Sequence, residues 1–433
     1  MESAINLTHP APLKISNYLA AEWKPALGCT EPAAVAYAAA LAAEQAQGKV
    51  LRVKLVCDPR IYKNCFAVGL PNSGHKTGIL WALAIGANLK DASLGLRGFE
   101  GASPDILGLA QSILEAHRVT VDVLPDQPHL LIDVTVEREG GTGRAVLEHE
   151  HTRLVRLEAN GQLVGGEASA PSPTVRAGIR ATVAAMSIED MMQWSRTLTD
   201  NDRRLLREGS VKNVAIAQYG LSLIPGGFST PLGQDTQNNL SRLVSAGVYA
   251  RMSGEPRTVM TLAGSGNKGI TVSVPIVLWG LQRSYAQERV EEALAFACLL
   301  TSAATHHLGT LSAMCATANA AGIGIAGALV MLEGGSADQV GMAVNHIVGS
   351  VAGMVCDGAK VGCAVKTMTG VDAAFRASNL ALAGFSIPAT DGIVGESGDE
   401  SLVNLGRLAR RGMTGVDAEI LRIMQEKLAA KPS

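Results

Sequence analysis

Three cysteines in the C-terminal third of the chain carry its clearest chemical potential. Cys315 sits in Leu311-Ser-Ala-Met-Cys-Ala-Thr-Ala, Cys356 in Gly353-Met-Val-Cys-Asp-Gly-Ala, and Cys363 shortly after in Val361-Gly-Cys-Ala-Val. Each has Gly, Ala or Ser close by, so backbone can approach whatever the sulfurs hold. Three thiolates leave one corner of a four-iron cluster open, and an open iron does Lewis-acid chemistry. Spacing alone does not decide the matter. Small thiols are common in helical cores, and the run from Cys356 to Cys363 is not the usual ferredoxin pattern.

A fourth cysteine stands near the other end, in Pro25-Ala-Leu-Gly-Cys-Thr-Glu-Pro. Thr30 reads as a helix N-cap, with Glu31 and Pro32 in the first turn, where a carboxylate and a missing N–H are both favoured. Cys29 then precedes a helix N-terminus, and the dipole there is expected to lower a thiol pKa. The plain alternative is a small buried residue in a turn.

Other motifs compete less well. Gly69-Leu-Pro-Asn-Ser-Gly-His-Lys-Thr resembles a phosphate-binding loop, but His75 stands between the second glycine and the lysine. Gly264-Ser-Gly-Asn-Lys-Gly matches G-x-G-x-x-G, yet its flanks read as helix and no acid closes a βαβ unit. A glycine-lined helix N-terminus for a carboxylate is one reading of it, and a packing turn is the other. His306 and His307 point apart on a helix, so they do not share one metal. One of them reads as a neighbour of the Cys315 site, or as a capping or core histidine. His149 and His151 flank Glu150 and read as a solvated strand face. Cys57, Cys65 and Cys298 read as structural.

The elements that must position these groups fall into three stretches. Residues Leu13 to Trp23 read as a short amphipathic helix, and Ala33 to Gln47 as an alanine-rich one ended by Gly48. From Leu51 the period changes to alternation, with strands expected over 51–57, 64–70, 119–124, 130–137, 144–149 and 153–157. Helices are expected over 79–86 and 106–117 within the same stretch, and Asn160-Gly161 fits a hairpin turn. Glu167-Ala-Ser-Ala-Pro-Ser-Pro reads as a linker, and Ile224 to Gly233 as a loop. Beyond the linker, helices are expected over 188–197, 235–252, 270–284, 287–302, 310–332, 336–353 and 416–429. The expected fold is mixed: a mainly α-helical catalytic domain, with a smaller α+β domain inserted after the N-terminal helices. The domains are N-terminal helices over 1–48 packing on the C-terminal domain, an α+β domain over 49–167, and an all-α, cluster-binding catalytic domain over 168–433.

Composition agrees with this plan. At 433 residues the chain is long enough for two or three domains. Hydrophobic residues make up 47% but aromatics only 4%, so apolar mass comes from small and aliphatic side chains that pack helices closely. A net charge of −2 gives no electrostatic footprint for nucleic acid. The uncharged stretch Leu311 to Leu332 contains Ser, Thr, Asn and several Gly, which suits a buried helix better than a membrane span. No basic-then-apolar leader opens the sequence, and seven cysteines are spread widely. A cytoplasmic protein with reduced thiols is therefore expected.

Taken together, the motifs around Cys29, Gly264 to Thr271, Cys315 and Cys356 resemble the bacterial and archaeal L-cysteine desulfidase family, which is related to the α-chain of the iron–sulfur L-serine dehydratases. The resemblance runs from about Tyr18 to Leu428. It implies a [4Fe-4S] cluster held by Cys315, Cys356 and Cys363, without pyridoxal phosphate. It implies a lyase that turns L-cysteine into hydrogen sulfide, ammonia and pyruvate, with Cys29 as the catalytic base. Thr30, Glu31, Ser265, Gly266 and Asn267 would then hold the substrate. The turn at Asn72 to Thr77 is a further candidate for its carboxylate. Expected partners are a small amino-acid substrate, without nucleic acid or membrane, and a homo-oligomer stays open. A dehydratase acting on L-serine or another hydroxy amino acid is the neighbouring alternative. A non-catalytic iron–sulfur or amino-acid sensor is the alternative from another class.

Overall fold

The computed structural model describes residues 13–89, 91–166, 175–225, 236–309 and 311–429. The linker expected at 167–173, the N-terminal hexapeptide and most of the loop expected at 224–233 lie outside the described residues. The chain opens with helix α1 (Ile15–Glu22), a four-residue strand β1 (Lys24–Leu27) and helix α2 (Thr30–Ala43). The helix thus begins on Thr30, and Cys29 rather than Thr30 takes the cap position with extended backbone. A shift of one residue at a helix end is ordinary, but here it sets a thiol at the helix mouth.

The α+β unit follows: β2 (Val50–Cys57), α3 (Pro59–Cys65), α4 (Ile79–Asn88), α5 (Pro104–Glu115), β3 (Val119–Val123), β4 (Leu131–Arg138), β5 (Gly141–Glu148), β6 (Leu154–Ala159) and β7 (Gln162–Gly165). The strands form one sheet in the order β3-β2-β4-β5-β6-β7, with β2 parallel to β3 and all other pairs antiparallel. The β6–β7 turn is Asn160-Gly161, both at positive φ, as a two-residue type I′ hairpin requires.

Helix α2 lies across β4 and β5 with every alanine buried. Its small side chains permit the approach. A Cβ on Gly143 of β5 would stand 1.9 Å from the Ala42 carbonyl oxygen. Of the residues grouped at 1–48, α1 therefore sits in the helical core and α2 in the sheet core.

The strand expected at 64–70 is not formed. Asp58 accepts hydrogen bonds from the Arg60 and Ile61 amides, and Pro59 occupies the first turn, so the chain winds into α3 instead. Only a single bridge, Gly69 to Thr77, remains of strand pairing there.

The helical unit contains α6 (Val175–Ala184), α7 (Ile188–Trp194), α8 (Asp200–Gly220), α9 (Thr236–Met252), β8 (Thr258–Thr261), α10 (Gly266–Gln282), α11 (Gln287–Leu308), α12 (Ala320–Leu332), α13 (Ala337–Val351), α14 (Cys363–Leu382), α15 (Gly398–Arg407) and α16 (Val416–Ala429). Helices α6, α8, α14 and α15 add to those expected. The helix expected over 310–332 begins only at Ala320, and the residues before it form turns around Cys315. Helix α11 runs through the core, in contact with α6, α10 and α12. A buried ion pair ties α1 to α6, with Arg180 Nε and Nη2 donating to the two Glu22 carboxylate oxygens at 2.8 and 2.9 Å.

No single helix among the described residues is long and apolar enough to cross a membrane. The bent pair Ile79–Asn88 and Ala92–Gly101 passes on length and composition together, but α4 is buried in the sheet core.

Candidate active site

One short ribbon brings the two distant motifs together. Strand β1 pairs antiparallel with β8, with Lys24 opposite Thr261 and Leu27 opposite Thr258. Beyond β1 the chain turns through Gly28, at φ +69°, into Cys29 and the start of α2. Beyond β8 it turns through Ala263 and Gly264, both at positive φ, into Ser265 and the start of α10. Arg251, at the end of α9, bonds both sides. Its Nη2 donates to the Gly28 carbonyl at 2.7 Å and its Nη1 to Asn267 Oδ1 at 2.9 Å. Arg251 is 3% exposed, so these are buried, charge-assisted bonds.

The C-terminal cysteines are held by a second backbone clasp. Met314 and Val355 form an antiparallel bridge. The Cys315 amide donates to the Met354 carbonyl at 2.8 Å, and the Cys356 amide donates to the Ala313 carbonyl at 2.7 Å. Cys363 is the first residue of α14.

Both assemblies open on one cavity of about 120 Å³. Its wall contains Cys29, Thr30, Glu31, Ser265 and Asn267 on one side and Cys315, Cys356 and Cys363 on the other. Gly266 lies just beneath, against the Arg251 guanidinium. Cys29, Thr30, Glu31, Ser265, Asn267, Cys315, Cys356 and Cys363 thus meet at one place, with Gly266 beside it. The volume far exceeds the roughly 15 Å³ that one water needs. The helices α2, α10 and α14 all begin here without a side-chain cap, so three positive dipole ends face the cavity.

The electrostatics of Cys29 differ from the expectation. Burial pushes its thiol well above the ordinary range, and the Glu31 carboxylate adds to the rise. Arg251 works in the opposite direction but does not prevail. The Cys29 thiol donates to Glu31 Oε2 at 3.4 Å, and Asn64 Nδ2 donates to the other Glu31 oxygen at 3.2 Å. The helix dipole is outweighed because desolvation of a 6%-exposed sulfur penalises the thiolate directly.

Cys315 and Cys363 respond alike. Burial, then the neighbouring Cys356, raises Cys315, and burial pushes Cys363 up to about 12. As bare thiols they hold their protons. A bound cation reverses that balance, and loading it expels protons. Lys366 donates to the Val355 carbonyl at 3.0 Å and to Asp357 Oδ1 at 2.5 Å, placing positive charge beside the sulfurs. Three soft donors on one cavity, with cations alongside, suit an iron–sulfur group.

Two lysines on the wall are not singled out by the sequence, and His151, read there as part of a solvated strand face, joins them. Lys63 of α3 is 2% exposed, and its Nζ donates to the Cys356 carbonyl at 2.8 Å and to Asp417 of α16 at 2.5 Å. Lys268 is equally buried, donating to the Ala263 carbonyl at 2.8 Å and to Thr305 Oγ1 at 3.1 Å. His151 also lines the cavity. Strand β5 ends at Glu148, so His149 and His151 do not share a strand face. The turn at Asn72 to Thr77 lies off this wall, as do His306 and His307. Asn72 donates to the Phe99 carbonyl, and Ser73 closes its own turn. No lysine signal could have been read from spacing, since each acts through contacts distant in sequence.

A UPF0597 protein of Geobacter sulfurreducens is 36% identical over 416 residues, covering 94% of this chain and 97% of the relative. One of Desulfotalea psychrophila is 34% identical over 434 residues, covering 95% and 98%. One of Oleidesulfovibrio alaskensis is 35% identical over 416 residues, covering 93% and 95%. Residues 134–422 match the serine dehydratase alpha chain family, a span that holds Ser265 through Cys363 but not Cys29. The chain belongs to the serine dehydratase alpha chain family.

Proposed function

We propose that this protein is an iron–sulfur-dependent lyase that catalyses α,β-elimination from a small β-substituted L-amino acid, with L-cysteine as the substrate. The observation that carries the reading is the meeting of Cys29 with Cys315, Cys356 and Cys363 around one cavity. Family membership supports a lyase.

In this reading Cys315, Cys356 and Cys363 hold a [4Fe-4S] cluster. When bound, that group would supply Lewis acidity toward the substrate's leaving atom. The chain's own residues do the rest. The first-turn amides of α10, at Gly266 and Asn267 beside Ser265, bind the substrate carboxylate. Arg251 fixes their position through Asn267. Thr30 and Glu31 receive the substrate ammonium.

Cys29 removes the Cα proton. Its proton is first directed to Glu31, with which it shares a hydrogen bond. A sulfur whose thiol is raised by burial is a stronger base once ionised, which suits a weakly acidic C–H. The Cα–H and Cβ–S bonds break and a C=C bond forms. The resulting aminoacrylate becomes an imine, and one water converts it to pyruvate and ammonia. The sum is L-cysteine and water giving pyruvate, ammonia and hydrogen sulfide.

A second reading, dehydration of L-serine at the same site, is favoured by the family's own name. Parallel anaerobic assays separate them. Sulfide with pyruvate from L-cysteine, at a higher kcat/KM than pyruvate from L-serine, supports the first. The reverse order supports the second, and release from neither substrate removes both.

A further inference from the structure

The base of the β5–β6 hairpin carries a group of side chains that the elimination does not use. Leu131 pairs with Glu148, and the His149 amide donates to the Leu130 carbonyl at 3.0 Å. This extra pairing draws His129 and His149 alongside each other. Their rings stack with centroids 4.1 Å apart and planes 20° apart, so one ring must turn for both nitrogen lone pairs to meet a single ion. His149 adopts φ +66° to reach that position, a conformation most side chains avoid. One ligand atom each from His129, Glu148 and His149 lies within 4.8 Å of the others.

The chemistry of this set is specific. Two imidazoles and one carboxylate favour zinc and similar first-row ions, whereas magnesium and calcium favour oxygen alone. The partner of His129 also fits. Gln127 Nε2 and His129 Nε2 lie 3.0 Å apart, and the amide is equally read with its oxygen there. That orientation accepts Nε2–H and leaves the other ring nitrogen a lone pair. Such outer contacts fix the tautomer of metal-bound histidines.

We propose that His129, Glu148 and His149 bind one divalent transition-metal ion of the zinc class. The site is separate from the thiol wall. It lies at the root of the loop closed by the Glu148 amide on the Arg153 carbonyl at 3.1 Å. That loop carries His151 to the cavity, so a bound ion anchors one wall of the active site from outside.

The test is calorimetric titration of zinc into the full chain, anaerobic and cluster-loaded, alongside the variants His149→Ala and Glu148→Gln. The wild type takes up one equivalent that both variants lose, and excess magnesium does not displace it. Cobalt in place of zinc gives weak visible bands without the intense sulfur charge-transfer band of thiolate ligation. Glu148→Gln keeps size and hydrogen bonding, so it carries the test if His149→Ala misfolds. Absence of the equivalent in the wild type, its retention by the variants, or a thiolate band with cobalt overturns the proposal.

Discussion

The Lys63 ammonium donates to the carbonyl oxygen of Cys356 at 2.8 Å and so joins the sheet unit to the thiol loop. The same ammonium holds Asp417 of α16 at 2.5 Å. One buried charge thus fixes three segments: α3, the Cys356 turn and the C-terminal helix. Lys63→Met leaves the Cys356 carbonyl and Asp417 without this donor. It is expected to cost about 2–4 kcal/mol of stability and to lower iron content after reconstitution. Thermal melting and iron per chain, measured on one preparation, check both parts.

Burial, with the Glu31 carboxylate adding to it, holds Cys29 in its thiol form. Burial is the larger cause of the raised pKa, and Glu31 adds charge and an acceptor. Glu31→Gln removes the negative charge, so the thiol pKa falls and more thiolate is present at a given pH. The rate of Cys29 alkylation by iodoacetamide at pH 8 should rise by about tenfold for each unit of fall, while turnover drops because the proton acceptor is lost. An unchanged alkylation rate would contradict this account of the pair.

Arg251 acts as a positioning residue on both motifs. Arg251→Lys keeps the charge but cannot reach the Gly28 carbonyl and Asn267 together in a fork. A fall in kcat/KM of roughly tenfold or more, about 1.4 kcal/mol, is expected without loss of iron. Iron content and kinetics measured together distinguish this from a general structural loss.

Protonation of His307 destabilises the fold at low pH. Burial, then the neighbouring His306 and Arg410, lowers its pKa to about 4. The unfolded chain binds this proton near pH 6.5, so between about 6.5 and 4 the unfolded state holds more protons than the folded one. Stability is full above that window and falls as pH drops through it. The side chain is partly exposed, so the loss from this group is on the order of 1–2 kcal/mol after solvent screening. Denaturant midpoints from pH 7 to pH 4 measure it, and replacement by an untitratable His307→Gln should flatten the slope.

The sequence is informative where chemistry sits in residue type. Cys29, Cys315, Cys356 and Cys363 were legible because thiols are rare in this chain, and the Gly264 to Gly269 turn because its G-x-G-x-x-G spacing is recognisable. The alanine-rich α2 and the alternating strands were legible because their periods repeat. What joins them was not. Lys24–Leu27 and Thr258–Thr261 are too short to signal a strand, and their pairing depends on the folding of everything between them. Residues 64–70 misled because the helix started by the Asp58 cap and Pro59 runs to Cys65, and the rest makes only the single bridge of Gly69 to Thr77. The raised thiol of Cys29 was also hidden. Helix position is local, whereas desolvation is a property of the packed protein.

The central claim rests on one anaerobic assay, sulfide release from L-cysteine with iron content measured on the same samples. Wild type, Cys29→Ser and Cys356→Ala are compared. The account predicts iron and sulfide for wild type, iron without sulfide for Cys29→Ser, and neither for Cys356→Ala. Full sulfide release by Cys29→Ser, or full iron retention by Cys356→Ala, would contradict it.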